Sequence, residues 1–337
     1  MYIDKQTIIN QKMRFIYFII ILAIFPICSQ AAEGSFVDWI DTYKKEAAES
    51  GISPAVLEDA FLNITTHNEK VVELDRKQPE NTILFSDYAK NIISKNKLKA
   101  AKEKFKQDRK IITKIEKKYK VPASVMLALW GIESNFGKNQ GSFNLVESLA
   151  TLAYEGRRSG FFRKELSNAM RILQSENMPA VNLTGSWAGA MGQVQFMPSS
   201  FLKFAVDFDG DGKKDIWQNN GDALASMANY LHQKGWKYGE KWGVEVKLPA
   251  TKTKEQWQAI KDKKTLKEWK KLGFNVKSGS KIARLVIPQD DNDRAFLVFA
   301  NYEVIMDWNK SIYFATTVNL LADAIKTDLG KKNSGKK

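Results

Sequence analysis

The sequence predicts an α+β protein that is mainly α, built from an N-terminal helical domain, a helical core and a small mixed α/β insert. Three observations predict it. Apolar residues recur at helical spacing through residues 36–120, at Trp39, Tyr43, Val56, Leu57, Ala60 and Phe61. A second helical run places Val125, Leu129 and Ile132 on one face and closes on Glu133. Between residues 244 and 298 the period shortens to alternating runs at 244–248, 283–287 and 295–299, around a Lys-rich helical piece at 253–272. With 337 residues, the chain has room for two or three compact units. A hydrophobic content of 44% is enough to bury a sizeable core.

The amino terminus reads as a secretory signal over residues 1–31. Lys12 and Arg14 precede an apolar run at 15–27, followed by Ser29-Gln30-Ala31-Ala32 with small residues suited to cleavage after Ala31. The run is short for a bilayer span. Met13 is an alternative start. A lipoprotein cut before Cys28 is the weaker alternative, because Pro26-Ile27 poorly matches the small residues that precede a lipidated cysteine. Contact with a membrane is expected only if Cys28 is lipidated. Cleavage after Ala31 removes Lys5, Lys12 and Arg14 with Asp4, which takes the formal charge from +14 to +12. It also removes Cys28, so the mature chain has no disulfide and depends on packing. The basic balance suits a polyanionic neighbour, and export excludes nucleic acid as the partner.

The remaining elements follow in order. Residues 32–120 form the N-terminal helical domain, with Ser53-Pro54 as a helix start. The basic stretch at 95–120 reads as a solvated helix face. Residues 121–243 form the core, opened by Val121-Pro122, with helices around 145–154, 161–176 and 222–233. The α/β insert spans 244–298. A C-terminal helix at 299–330, amphipathic over 302–329, returns to the core, and 331–337 is a tail.

Two segments carry the chemistry. Glu133 lies among Trp130, Ile132 and Phe136, with Gly131 and Gly137 allowing close backbone approach and Ser134 and Asn135 beside it. Burial disfavours the charged form, so such a carboxyl holds a proton near neutral pH. The bland reading is a helix-end glutamate paired with a lysine or arginine. The second segment, Gly185-Ser186-Trp187-Ala188-Gly189-Ala190-Met191-Gly192, is too rich in small residues for an ordinary core helix. Gln193 and Gln195 add amides for N-acetyl or hydroxyl groups, and Met197-Pro198-Ser199-Ser200 reads as a helix entry.

Together, Trp130-Gly131-Ile132-Glu133-Ser134, the run from Ala188 to Ser200 and Ala228-Asn229-Tyr230 resemble the membrane-bound lytic transglycosylase B family, the soluble lytic transglycosylases of the second type. The resemblance extends over residues 36–329. It is densest at 121–242, and again at Asn309-Lys310-Ser311. It implies a lysozyme-like core, a periplasmic location and peptidoglycan glycan strands as substrate, with proteins of a wall-synthesis complex as possible partners. It implies Glu133 as the catalytic acid and base, with Ser186, Gln195 and Tyr230 lining the glycan cleft. Ser134, Met191, Gln193, Asn309 and Tyr313 complete the expected substrate contacts. Where the family has Arg-Tyr-Asn and later paired tyrosines, this chain has Asp307-Trp308-Asn309 and Tyr313-Phe314, so a cleft hydroxyl is expected to be missing at Trp308 or Phe314.

A third constellation, Asp207-Phe208-Asp209-Gly210-Asp211-Gly212-Lys213-Lys214-Asp215, matches the start of an EF-hand Ca²⁺ loop. Its ligands would be Asp207, Asp209, Asp211, the Lys213 carbonyl and Asp215. The standard closing glutamate is replaced by Gln218, and the nearest acid is Asp222. The family's lengthened loop with a late aspartate makes Asp222 the expected closing ligand of a structural Ca²⁺. The alternative is an Asp/Gly turn without metal.

Other chemistries are excluded. His67 and His232 are the only histidines, too few for a His-rich zinc site or a Ser-His-Asp triad. No phosphate-binding Gly-rich loop with its lysine is present. Trp187, Trp236 and Trp242 suit either sugar stacking or core packing. One convincing carboxyl points to a glycosidase in which the substrate assists, and the resemblance implies the lytic reaction, which closes a 1,6-anhydro-MurNAc ring without water and needs no organic cofactor. The rivals are a lysozyme-type hydrolase with Glu147 or Glu155 as second carboxylate, and a non-catalytic wall-binding protein.

Overall fold

The computed structural model describes residues 34–77, 83–288 and 294–330. The leader expected at 1–31, Cys28 and the tail at 331–337 lie outside the described residues. Helices dominate, and the fold class is the expected one, mainly α with small antiparallel sheets. Among the described residues no helix is long and apolar enough to cross a membrane.

Six helices precede the core, at Phe36–Glu49, Pro54–Phe61, Glu69–Arg76, Phe85–Ile92, Lys95–Gln107 and Arg109–Tyr119. Their starts are written locally. Ser35 and Asp38 form a reciprocal capping box, and Ser53 caps the helix that Pro54 opens. In the last of the six, Ile112, Ile115 and Tyr119 point inward while Lys110, Lys114, Lys117 and Lys118 face solvent.

The Ala123–Ser134 helix is apolar all round and buried along nearly its whole length. Such a helix belongs at the centre of a bundle. The Lys95–Gln107, Arg109–Tyr119, Asn220–Gln233 and Ile312–Gly330 helices all pack against it. The N-terminal helices share one continuous apolar core with it, from Phe36 to Ile325. Beside it the Leu145–Glu155 and Ser159–Ser175 helices pack on each other. Two short strands, β1 (Phe143–Asn144) and β2 (Thr184–Gly185), pair antiparallel next to them.

The insert holds strands β3 (Gly243–Val246), β4 (Lys264–Thr265), β5 (Ile282–Val286) and β6 (Ala295–Val298), in the antiparallel order β3-β6-β5-β4. It has its own core under Trp257, Trp269 and Phe274. Strand β6 is buried on both faces. Phe296 and Val298 enter the main core, while Ala295 and Leu297 enter the insert's core. The two-residue period of a strand thus fastens the insert to the body.

Two elements differ from expectation. The Lys-rich piece is two short helices, Lys254–Gln258 and Leu266–Lys271, each opened by a capping box and separated by β4. The C-terminal helix is broken into Ala300–Trp308 and Ile312–Gly330. At the break the Asn309 carboxamide accepts the Ser311 N–H at 2.9 Å, and the Ser311 hydroxyl accepts the Phe314 N–H at 3.3 Å. These local bonds outcompete helix continuation and stop the first helix at Trp308.

Candidate active site

Glu133 stands in the last turn of the central helix, which ends in two left-handed residues, Asn135 (φ 51°) and Phe136 (φ 60°). The chain thereby doubles back. The Phe136 N–H returns to the Trp130 carbonyl, and the Phe136 ring folds over Gly131 and meets the Trp130 ring edge-on at 5.5 Å. A Cβ at Gly131 would lie 2.8 Å from the Phe136 ring, so this fold-back requires glycine. Lys97, from the N-terminal helices, donates to the Gly131 carbonyl at 2.8 Å and to the Asn135 side-chain oxygen at 3.0 Å. A cation on the orphan carbonyls of a helix C-terminus stabilises it. Burial, and secondarily Lys138, pull the Lys97 ammonium down to about 8.

The Glu133 carboxyl sits below the surface, although the residue keeps partial solvent access. Burial pushes it up to about 8, against a smaller opposing pull from the Trp308 N–H. Among the described residues no second carboxylate contributes to its environment. The Trp308 indole N–H donates to one carboxyl oxygen at 2.6 Å. Glu133 is therefore a protonated acid near neutral pH with one hydrogen-bond donor aimed at it. The bland reading of a glutamate paired with a cation does not hold. Glu147 and Glu155, the alternative second carboxylates, are engaged elsewhere, with the Asn68 amide and with Arg76.

The small-residue segment is tied to the helix that carries Glu133 through the bond between Trp130 and Gln193. Backbones stack closely there. A Cβ on Gly141 (φ +86°) would lie 2.1 Å from the Gly185 carbonyl oxygen, and one on Gly185 would lie 2.3 Å from that of Ala190. The Ser186 hydroxyl accepts the Ala190 N–H at 3.0 Å. Gln195, held at φ 52°, donates its amide to the carbonyls of Gln140 and Gly192. Gln140 donates to Gly137 and Trp217, and its own side-chain oxygen is buried without a donor among the described residues. Ser186, Gln195 and Gln140 keep partial exposure.

Several expected substrate contacts are corrected. The Ser134 hydroxyl is fully buried and spent on the Gly137 N–H and the Trp130 carbonyl. Met191 is a core side chain, and its backbone is paired with Phe196. Gln193 is buried and saturated: its oxygen accepts the Trp130 indole N–H at 2.9 Å, and its nitrogen donates to the Trp217 carbonyl and Asn220. All three side chains are buried: Ser134 and Gln193 satisfy neighbouring polar groups, and Met191 fills the apolar core. Tyr230 is also buried. Its hydroxyl donates to the Asp307 carbonyl at 2.9 Å, and its ring meets Trp308 edge-on at 4.9 Å. Asn309 serves the helix break, and Tyr313 packs on Phe85 and Tyr88 at the second helix start. Of the tryptophans considered for stacking, Trp236 and Trp242 are buried and Trp187 packs against the core.

Trp308 is the functional neighbour that the sequence concealed. It reads there as a lost hydroxyl, whereas in the structure it is the donor on the acid. Lys97 and Gln140 also carried no signal, since Lys97 acts on Gly131 and Gln140 on Trp217, both distant in sequence.

In the acidic loop, the carboxylate oxygens of Asp207, Asp209 and Asp211 lie within 4.8 Å of one another. Backbone N–H groups of Gly210 and Gly212 hold Asp207, and the Asn219 amide holds Asp209. Convergent hard oxygens fit a Ca²⁺ ion. Asp215 and Asp222 have other duties. Asp215 caps the N–H groups of Trp217 and Gln218. Asp222 accepts the N–H groups of Phe208 and Asp215, closing the loop at its base rather than joining the cluster. Lys213 extends away, its N–H bound to Asp211.

The model of the family described as transglycosylase SLT domain matches residues 35–323. The chain belongs to that family. Among SLT-domain proteins, it is 39% identical over 127 residues to the membrane-bound lytic murein transglycosylase B of Escherichia coli (strain K12), covering 37% of this chain and 35% of that protein. The aligned part spans about a third of that curated relative's length. The structure is similar to SltB3 from Pseudomonas aeruginosa, solved in complex with NAG-anhNAM-pentapeptide. The TM-score is 0.81 at 40% identity, covering 87% of this chain and 80% of that one. It is also similar to the Escherichia coli lytic transglycosylase Slt35 in complex with calcium, with TM-score 0.74 at 25% identity, covering 86% and 93%.

Proposed function

We propose that this protein is a lytic transglycosylase that cleaves the MurNAc–GlcNAc β-1,4 bond of peptidoglycan and leaves 1,6-anhydro-MurNAc ends. The observation that carries the reading is Glu133: a lone, buried carboxyl, protonated up to about pH 8 and free of cationic partners. A hydrolase of the two-carboxylate type places a second carboxylate by the acid, and among the described residues none acts on Glu133.

The steps balance as follows. Glu133 gives its proton to the glycosidic oxygen as the C1–O bond breaks and its electron pair passes to that oxygen. The positive charge left at C1 is stabilised by the substrate's own N-acetyl oxygen. The Glu133 carboxylate then takes the proton of the C6 hydroxyl as O6 bonds to C1. The acid is restored and no water is consumed. One group acting in both directions must have a pKa near working pH. The glycan would run along Ser186, Gln195 and Gln140, which are polar and partly exposed.

Export to the periplasm follows from the amino-terminal signal, with wall-synthesis proteins as possible partners there. Asp207, Asp209, Asp211 and the Lys213 carbonyl would hold a Ca²⁺ ion, with Asp222 bracing the loop behind them. The three convergent carboxylates support this reading, as does the calcium complex of the Escherichia coli relative. The ion's contribution would be structural.

The test is mass spectrometry of fragments released from purified peptidoglycan by the mature chain and by Glu133→Gln. Fragments lighter by one water than the hydrolysed product, absent with the variant, are expected. Reducing ends, or lysis retained by a folded Glu133→Gln, would overturn the reading.

A further inference from the structure

We infer that Trp308 is a positioning residue that confines the mobile proton of Glu133 to a single carboxyl oxygen, the one turned away from the indole. The inference rests on the reading of Glu133 as an acid. An indole nitrogen is a donor only. Its N–H lies 2.6 Å from one Glu133 oxygen, and a proton on that oxygen would face another proton. In the neutral acid the hydrogen is therefore carried by the other oxygen. After the proton has left, the same N–H becomes a charge-assisted bond to the carboxylate. The oxygen that donated is the one left open to take the C6 hydroxyl proton. A tyrosine hydroxyl in this place would be able to accept as well as donate, and would allow the proton on either oxygen.

The indole is held for this task from three sides. It ends the Ala300–Trp308 helix, where the Asn309 turn stops the chain. Phe196 packs against it at 5.4 Å and Tyr230 at 4.9 Å. The Tyr230 hydroxyl fixes the preceding carbonyl, that of Asp307. These contacts give the otherwise unexplained burial of Tyr230 a purpose: it braces the donor and does not touch the acid. Burial and the indole also act in opposite directions on Glu133. Burial keeps the proton on the group, and the indole eases its departure.

The test deletes the N–H without changing the ring. Residue 308 is replaced by β-(3-benzothienyl)alanine, in which sulfur stands in the place of the N–H, and Trp308→Phe is made as a second variant. The first readout is independent of lysis: the infrared C=O stretch of protonated Glu133, isolated as the difference from Glu133→Gln, followed against pH. The sulfur variant should move this band to higher frequency and shift its disappearance to higher pH. Its kcat should fall about ten- to hundredfold, the worth of one hydrogen bond to a charged group, with KM little changed. An unchanged band and titration would overturn the inference. So would full activity in the sulfur variant with loss only in Trp308→Phe, which would make the ring a packing element. Failure of the function reading is seen separately, as lysis that survives in Glu133→Gln.

Discussion

The Trp130 indole N–H donates to the Gln193 side-chain oxygen at 2.9 Å, and both groups are buried. This bond joins the helix that carries Glu133 to the end of the small-residue segment. Gln193 completes the junction by donating to the Trp217 carbonyl and to Asn220. Gln193→Leu would leave the indole N–H unpaired in the interior and take one of two donors from the Trp217 carbonyl, which keeps the Gln140 amide. A loss of about 1–3 kcal/mol is expected, measured by urea denaturation. A change within error would mean that water or a neighbour satisfies the indole.

Glu133 also carries a stability signature. Its folded-state pKa lies above its unfolded value of 4.5, at about 8. Between these values the folded chain keeps a proton that the unfolded chain has released. Stability should therefore be fully present below pH 4.5 and fall by roughly 1 kcal/mol per pH unit towards pH 8. Glu133→Gln lacks this contribution and should be the more stable form at pH 8. Denaturation of both proteins across this range decides the matter, and parallel curves would contradict it.

With Glu133 as the acid, the same proton should set the alkaline limit of activity. The first step needs Glu133 protonated, so kcat/KM should fall about tenfold per pH unit above a midpoint near 8. The profile is read from initial rates of fragment release. A limb centred near 4.5 would mean that the carboxyl is ionised in the resting enzyme.

Lys97 reaches from the N-terminal helices to the end of the acid's helix. Lys97→Met keeps the packing of its stem and removes the donor from the Gly131 carbonyl and from Asn135. A loss of about 1–3 kcal/mol is expected. If the cap also aims Glu133, kcat should fall more than KM rises. A variant with wild-type kcat and lower stability would restrict Lys97 to the fold.

Calcium should stabilise the mature chain by about 2.7 kcal/mol at a hundredfold excess of free ion over Kd, and so raise its melting temperature. Asp209→Asn with Asp211→Asn should abolish that increase. Asp222→Asn should lower the melting temperature even without the ion, because Asp222 accepts the Phe208 and Asp215 N–H groups. Identical melting with and without calcium would make the loop a metal-free turn.

Much of this was written locally. Helix starts at Ser35 and Ser53, the apolar run ending at Glu133, the period change at 244 and the Asp-rich loop all depend on residues a few positions apart. Spacing, capping and turn chemistry act at that range. So the mainly helical class, the carboxyl at the end of an apolar helix and the Asp-rich loop were legible in the chain itself.

The partners of the acid were not. Trp308 lies 175 residues from Glu133, and Lys97 lies 34 from Gly131. No local pattern marks either contact. Ser134, Met191 and Gln193 looked like ligand contacts because they are polar or adaptable residues beside Glu133 and within the small-residue segment. Packing turned them inward, Met191 into the apolar core and Ser134 and Gln193 onto interior groups that needed hydrogen-bond partners. The sequence by itself determined which residue could be the acid. The tertiary structure decided that it stays protonated and which donor holds it, because desolvation and a hydrogen bond exist only once distant segments have closed around the group.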